Sequence, residues 1–146
     1  MNRIQKTAWF SLIMVTLAFG LSLISVGVLY FGFGLPLQRA AGGFGFIGIM
    51  GLSALAPLLF KKDKDKVPLD ERDLLIRNKA TMAAYCGFWP VFVIAAMAPF
   101  FIYGPDSMVS VKYLCAMVFG GMFIVILVHS LVTLQEYGWW ETGEKS

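Results

Sequence analysis

With 146 residues, 58% of them hydrophobic, 15% aromatic and only 14% charged, the chain lies outside the composition of soluble globular domains, and its mean hydropathy of +0.73 points the same way. Residues 1–146 read as a single membrane domain, with no room beside the apolar runs for a separate soluble one. The formal net charge of +3 sits in short basic segments between those runs, not in a stripe interleaved with stacking aromatics, which excludes nucleic acid as a partner.

Four apolar runs, residues 7–31, 40–60, 80–103 and 111–134, are each free of Asp, Glu and Arg. Each meets the requirement of about 20 apolar residues for a helix crossing the hydrocarbon core. The fold expected is all-α, an integral membrane protein of four transmembrane helices. The first run follows Arg3 and Lys6 and is too long for the apolar part of a secretory signal, so it is expected to stay in the mature protein.

Orientation follows from the bases beside the helices. Arg3 and Lys6 precede the first run, seven bases lie between Lys61 and Lys79, and Lys145 follows the last, whereas the opposite loops offer only Arg39 and Lys112. By the positive-inside rule both termini and the central loop are cytoplasmic. The two outer loops carry GFGLP and YGPDS, short Gly/Pro turns that make each pair of helices an antiparallel hairpin. Trp9, Phe10, Tyr30, Tyr103, Tyr137, Trp139 and Trp140 fall at the run ends, as an aromatic belt requires.

The central stretch, residues 61–79, divides in two. KKDKDK, residues 61–66, reads as a solvated linker that anchors topology. After Pro68, DERDLLIRNKA reads as a short cytoplasmic juxtamembrane helix that lies on the membrane or runs straight into the third span. Asp70 is its candidate N-cap, with Asp73 at N3, and Asp73 and Arg77 are an i,i+4 pair. Asp70, Glu71, Arg72, Asp73, Arg77 and Lys79 are the candidate contacts for a partner or a lipid surface. The cytoplasmic tail is 135–146.

Small residues mark faces where helices approach closely in lipid. The second run has Gly42, Gly45, Gly48 and Gly51 at a spacing of three, with Gly43 beside them; the fourth has Ala116, Gly120 and Gly121. These serve packing inside the bundle or a seam between copies. Pro57, Pro90 and Pro99 lack an N–H and release the carbonyls of Ser53, Cys86 and Ala95. Cys86 and Cys115 fall about 15 Å apart in depth at 1.5 Å per residue, too far for a disulfide, and are expected as free thiols.

Gly43, Gly45 and Gly48 spell GxGxxG, but inside a continuous apolar run and without the preceding strand a dinucleotide site needs. His129 is the only histidine. Thr133 and Glu136 share its helical face, and Thr81 and Tyr85 come to similar depth in a hairpin of the last two spans. These five form a candidate intramembrane polar cluster. An ionisable group in a span is a functional-site hypothesis by default; the competing reading is a neutral His hydrogen-bonded to a Tyr or Thr. No carboxylate lies inside a span, which argues against proton-coupled small multidrug exporters.

LDERDLLIRNKA, AAYCGFWPVFVIAAMAPFFI and VFGGMFIVILVHSLVTLQEYGW resemble a family of small bacterial four-helix membrane proteins of unknown function, marked by DERD or DERE-x-x-I-x-x-(K/R)-A and a tail ending near YGW. The resemblance covers residues 68–139 and implies four membrane helices in a bacterial inner membrane, with no catalytic residue to carry over. No metal or cofactor set is spelled by the residues, and we expect a non-enzyme. Two functions remain: a regulatory or accessory subunit whose residues 70–79 contact a partner or the lipid surface, and an oligomeric small transporter or channel using the Gly face and the His129 cluster. The expected partners are the lipid bilayer, another membrane or cytoplasmic protein, and a second copy.

Overall fold

The computed structural model describes residues 3–60, 71–106 and 108–138; the linker 61–70, with Asp70, and the tail from Trp139 onward lie outside them. The chain divides after Lys66 into two compact units. By length and composition three helical segments can cross a membrane: Arg3–Gly32, Glu71–Tyr103 and Val111–Tyr137.

The first unit begins with α1 (Arg3–Gly27). Its hydroxyls serve its own backbone: Thr16 Oγ1 donates to Leu12 O at 2.8 Å and the buried Ser22 Oγ to Ala18 O at 2.7 Å. Such back-bonding lets Ser and Thr sit in an apolar helix without an orphaned donor. The helix widens into a π turn over Val28–Gly32, and Gly34, at φ +61°, supplies the left-handed backbone that closes the loop before Pro36. The chain then returns along α1 through α2 (Leu37–Ala40), a 3-10 helix (Ala41–Leu55) and α3 (Ala56–Leu59).

The second apolar run is therefore not one α-helix. A 3-10 helix eclipses side chains three apart, which keeps most such runs to 3–4 residues; this one has 15. Its sequence clears one of the three columns of eclipsed side chains: with three residues per turn, Gly42, Gly45, Gly48 and Gly51 fall in line. The same geometry absorbs Pro57. The Ser53 carbonyl, expected to be released, accepts the Ala56 N–H, three residues on instead of four.

The two strokes of this unit meet through small residues. Ala8, Val15, Ala18 and Ser22 of α1 are buried, as are Ala40, Gly43, Met50 and Ala56 on the returning stroke. A Cβ on Gly43 would lie 2.8 Å from Val26 N and 2.9 Å from Ser25 Oγ, whereas one on Gly42, Gly45, Gly48 or Gly51 would meet nothing within 4 Å. Close approach in this unit thus belongs to Gly43, not to the column. Arg3 Nε donates to Phe60 O at 2.6 Å, and the Phe10 and Phe60 rings meet edge-on at 6.0 Å.

The second unit is an antiparallel hairpin of α4 (Glu71–Tyr103) and α5 (Val111–Tyr137). Gly104, at φ +89°, turns the chain, Ser110 caps α5 by accepting from Lys112 N at 3.4 Å, and Gly138 at φ +76° ends it. Residues 71–79 run straight on as the first turns of α4, one of the two arrangements expected. No Gly or Pro interrupts residues 71–86, and Ile76, Ala80 and Ala84, buried at i, i+4 and i+8, carry one seam across the expected boundary. Further along, Gly121 of α5 lies under Phe88, whose Cε2 would be 2.6 Å from an added Cβ. Cys86 and Cys115 are free thiols.

Pro99 lies inside α4 and cannot donate to Ala95 O. The Tyr113 hydroxyl of α5 donates to that carbonyl instead, so the released acceptor becomes an interhelical tie.

Two substitutions test this account. Tyr113→Phe leaves the Ala95 carbonyl unpaired and lowers stability by about 1 kcal/mol, read as the midpoint of detergent-titrated unfolding. Gly43→Ala overpacks the Val26 backbone and costs about 1–3 kcal/mol, while Gly45→Ala in the same assay is tolerated.

Candidate functional site

The polar side chains gather where the start of α4 meets the end of α5. Ile76 and Ala80 of α4 and Leu134 of α5 are buried there. Around this apolar floor, two ties join the helices. Lys79 Nζ lies 2.5 Å from Glu136 Oε1, and the Tyr137 hydroxyl donates to Asp73 Oδ1. The ion pair is solvated, with side-chain exposures of 64% for Lys79 and 30% for Glu136, so it contributes less than about 1 kcal/mol. The Tyr–carboxylate bond is charge-assisted and more sheltered, and of the two it is the stronger restraint.

The charged residues of early α4 accordingly differ in what they meet. Asp73 and Lys79 are engaged by α5, while Glu71, Arg72 and Arg77 are exposed. Asp70 is outside the described residues. The five described candidates thus divide into a pair tied to α5, Asp73 and Lys79, and three exposed residues, Glu71, Arg72 and Arg77.

The five-residue polar cluster does not assemble as one network. Glu136 is paired with Lys79, and the buried Thr133 directs its hydroxyl at the His129 carbonyl, 2.7 Å away on its own helix. Tyr85 is 54% exposed, and Thr81 and His129 are half-buried. No hydrogen bond among the described residues joins Thr81, Tyr85 and the His129 ring. Likewise no group of three His, Cys, Asp or Glu among the described residues is placed to hold a metal.

The hairpin also has a groove of about 250 Å³ bordered by Phe88, Phe92, Tyr113, Met117 and Gly121. Its one polar atom from these side chains, the Tyr113 hydroxyl, is bonded to Ala95 O, leaving the groove no group to orient a polar substrate.

Two participants escaped sequence reading. Tyr137 reads as an interface anchor until the antiparallel register sets it beside Asp73, and Tyr113 carries no motif. The available signal for Tyr113 was Pro99, because a released carbonyl in an apolar helix needs a donor at the same height on the facing helix.

A family model described as predicted membrane protein (DUF2178) matches residues 6–133. No curated protein and no solved structure matches the chain.

The hairpin closure makes a quantitative prediction. In a double-mutant cycle, Asp73→Asn with Tyr137→Phe gives a coupling of about 1–2 kcal/mol, larger than that of Lys79→Gln with Glu136→Gln, measured by the same unfolding titration.

Proposed function

The chain belongs to this family of predicted membrane proteins, and from that premise we propose a four-span accessory or regulatory protein of a bacterial inner membrane, non-enzymatic, whose contact surface is the outward face of early α4. The observation that carries this reading is that α5 takes up only part of one charged segment: Asp73 and Lys79 are tied by Tyr137 and Glu136, and Glu71, Arg72 and Arg77 stand exposed beside them.

A fourth span is supported by the returning stroke of the first unit. At about 2.0 Å rise per residue, a 15-residue 3-10 helix covers about 30 Å, the thickness of the hydrocarbon core. With four spans both termini fall on one side, and the base count makes that side cytoplasmic. In a Cys86→Ser, Cys115→Ser background, Gln38→Cys and Asp106→Cys then label from outside and Lys64→Cys only from inside. Three spans would place residues 38 and 64 on the same side.

The contact face is tested by replacing Glu71, Arg72 and Arg77 with Gln together. The copurifying protein or lipid is lost and the unfolding midpoint is unchanged; retention of every copurifying species overturns the reading.

A second reading, an oligomeric small transporter or channel, is favoured by the open column of Gly42, Gly45, Gly48 and Gly51, which suits close association with another helix. Flux in proteoliposomes that survives His129→Ala removes the polar cluster from it.

A further inference from the structure

We propose that α4 pairs with α4 of a second copy of this chain along a stripe of Met82, Cys86, Trp89, Val93, Ala96 and Phe100, each Trp89 indole N–H donating to the Cys86 carbonyl of the other copy. The interface is separate from the contact face of early α4 and from the glycine column, and depends on neither.

These six residues follow one another at alternating spacings of four and three, the 3.5-residue repeat of a helix that coils around a partner. At 100° per residue they lie between about 160° and 240° round from Ala80, on the side of α4 opposite its seam with α5. All six are exposed, and the small Ala96 lets a neighbouring backbone approach.

Hydrogen bonding distinguishes this stripe from a surface that faces lipid. Pro90, inside α4 and exposed, has no N–H to give the Cys86 carbonyl. The other proline-released carbonyl of α4, Ala95 O, receives the Tyr113 hydroxyl from α5. Cys86 is exposed on the side away from α5, and no side chain among the described residues donates to its carbonyl. The same face holds the opposite need. Trp89 is 56% exposed, its ring packs on Phe88 and Phe92 of its own helix, and no hydrogen bond among the described residues engages its indole N–H. Trp89 stands about 15 Å along the axis from Lys79, halfway through a hydrocarbon core of about 30 Å. Neither water nor headgroups serve a donor or an acceptor there, so both need a protein partner.

A single geometry satisfies both. Helical side chains lean toward the N-terminus of their helix, so the Trp89 indole reaches the height of Cys86, most of a turn earlier. About the midline of the stripe, near 200° from Ala80, Trp89 lies about 20° to one side and Cys86 about 40° to the other. Copies of one orientation in a bilayer are related by a two-fold axis along the membrane normal, which keeps height and exchanges sides. Each donor then faces the other copy's acceptor, and neither copy keeps an unpaired group. An unrelated helix would have to bring both a donor and an acceptor to that same height.

Two measurements on the full-length chain test the pairing. In native membranes, copper-phenanthroline oxidation of Cys115→Ser joins Cys86 to Cys86 as a covalent dimer. Ile94, 70% exposed but about 120° from the midline, is the control: Ile94→Cys in a Cys86→Ser, Cys115→Ser background does not cross-link. In liposomes, energy transfer between amino-terminally labelled copies, followed against the protein-to-lipid ratio, gives the dimer affinity. Trp89→Phe keeps a ring and removes the donor, weakening the dimer about threefold for each of two symmetric bonds and about ninefold together. Pro90→Ala returns an N–H to the Cys86 carbonyl and weakens the dimer to the same extent, and Trp89→Phe added to Pro90→Ala has no further effect. The proposal is overturned if wild type is monomeric at every ratio, if Ile94→Cys cross-links as readily as Cys86, if Trp89→Phe leaves the affinity unchanged, or if its effect persists in full beside Pro90→Ala. Capture of a different membrane protein through Cys86, in place of a second copy, overturns it as well.

Discussion

In an apolar medium every backbone N–H and C=O must find its partner inside the protein, and the prolines are where this requirement becomes visible. Pro99 removes the donor for Ala95 O, and α5 supplies Tyr113 in its place. Pro57 removes another, and the backbone ahead of it has already tightened so that Ala56 serves Ser53. The first solution is tertiary and fixes the register of two helices. The second is local and changes the helix type. Both avoid the several kcal/mol that an unpaired group costs in hydrocarbon.

The change of helix type alters what the glycines mean. In an α-helix, residues at a spacing of three drift by about 60° each turn, so Gly42, Gly45, Gly48 and Gly51 would spiral around the surface. In a 3-10 helix they form a straight column, and the packing face becomes a different set, Ala40, Gly43, Met50 and Ala56. Gly43, one residue out of the periodic series, is the position where backbone meets backbone. The glycine period, expected to mark an interface, instead follows the turn of the helix.

Much of the architecture was legible because it depends on composition and punctuation. Long acid-free runs, GFGLP before the return of the first stroke, and YGPDS before α5 mark helix lengths and turns that local chemistry decides. What escaped depends on partners distant in sequence. Lys79 meets Glu136 across 57 residues and Tyr137 meets Asp73 across 64, and neither distance is encoded by spacing. Read along the helix, Asp73 pairs with Arg77 and Glu136 joins His129. Register between helices overrides both readings, since an interhelical hydrogen bond to a carboxylate outweighs an exposed i,i+4 pair of about 0.3 kcal/mol.

That the helix begins well before Ala80 has a related reason. Charge density changes there, and sequence reading equates that change with the start of a span. The seam does not follow it: Ile76 is buried like Ala84, so the packed face extends to a position three residues before Lys79. A helix whose packing outlasts its apolar stretch carries its charges on a rigid rod, with bases fixed at the flanks of the seam. Early α4 thereby places each charged side chain at a definite height and angle, which recognition of a surface requires.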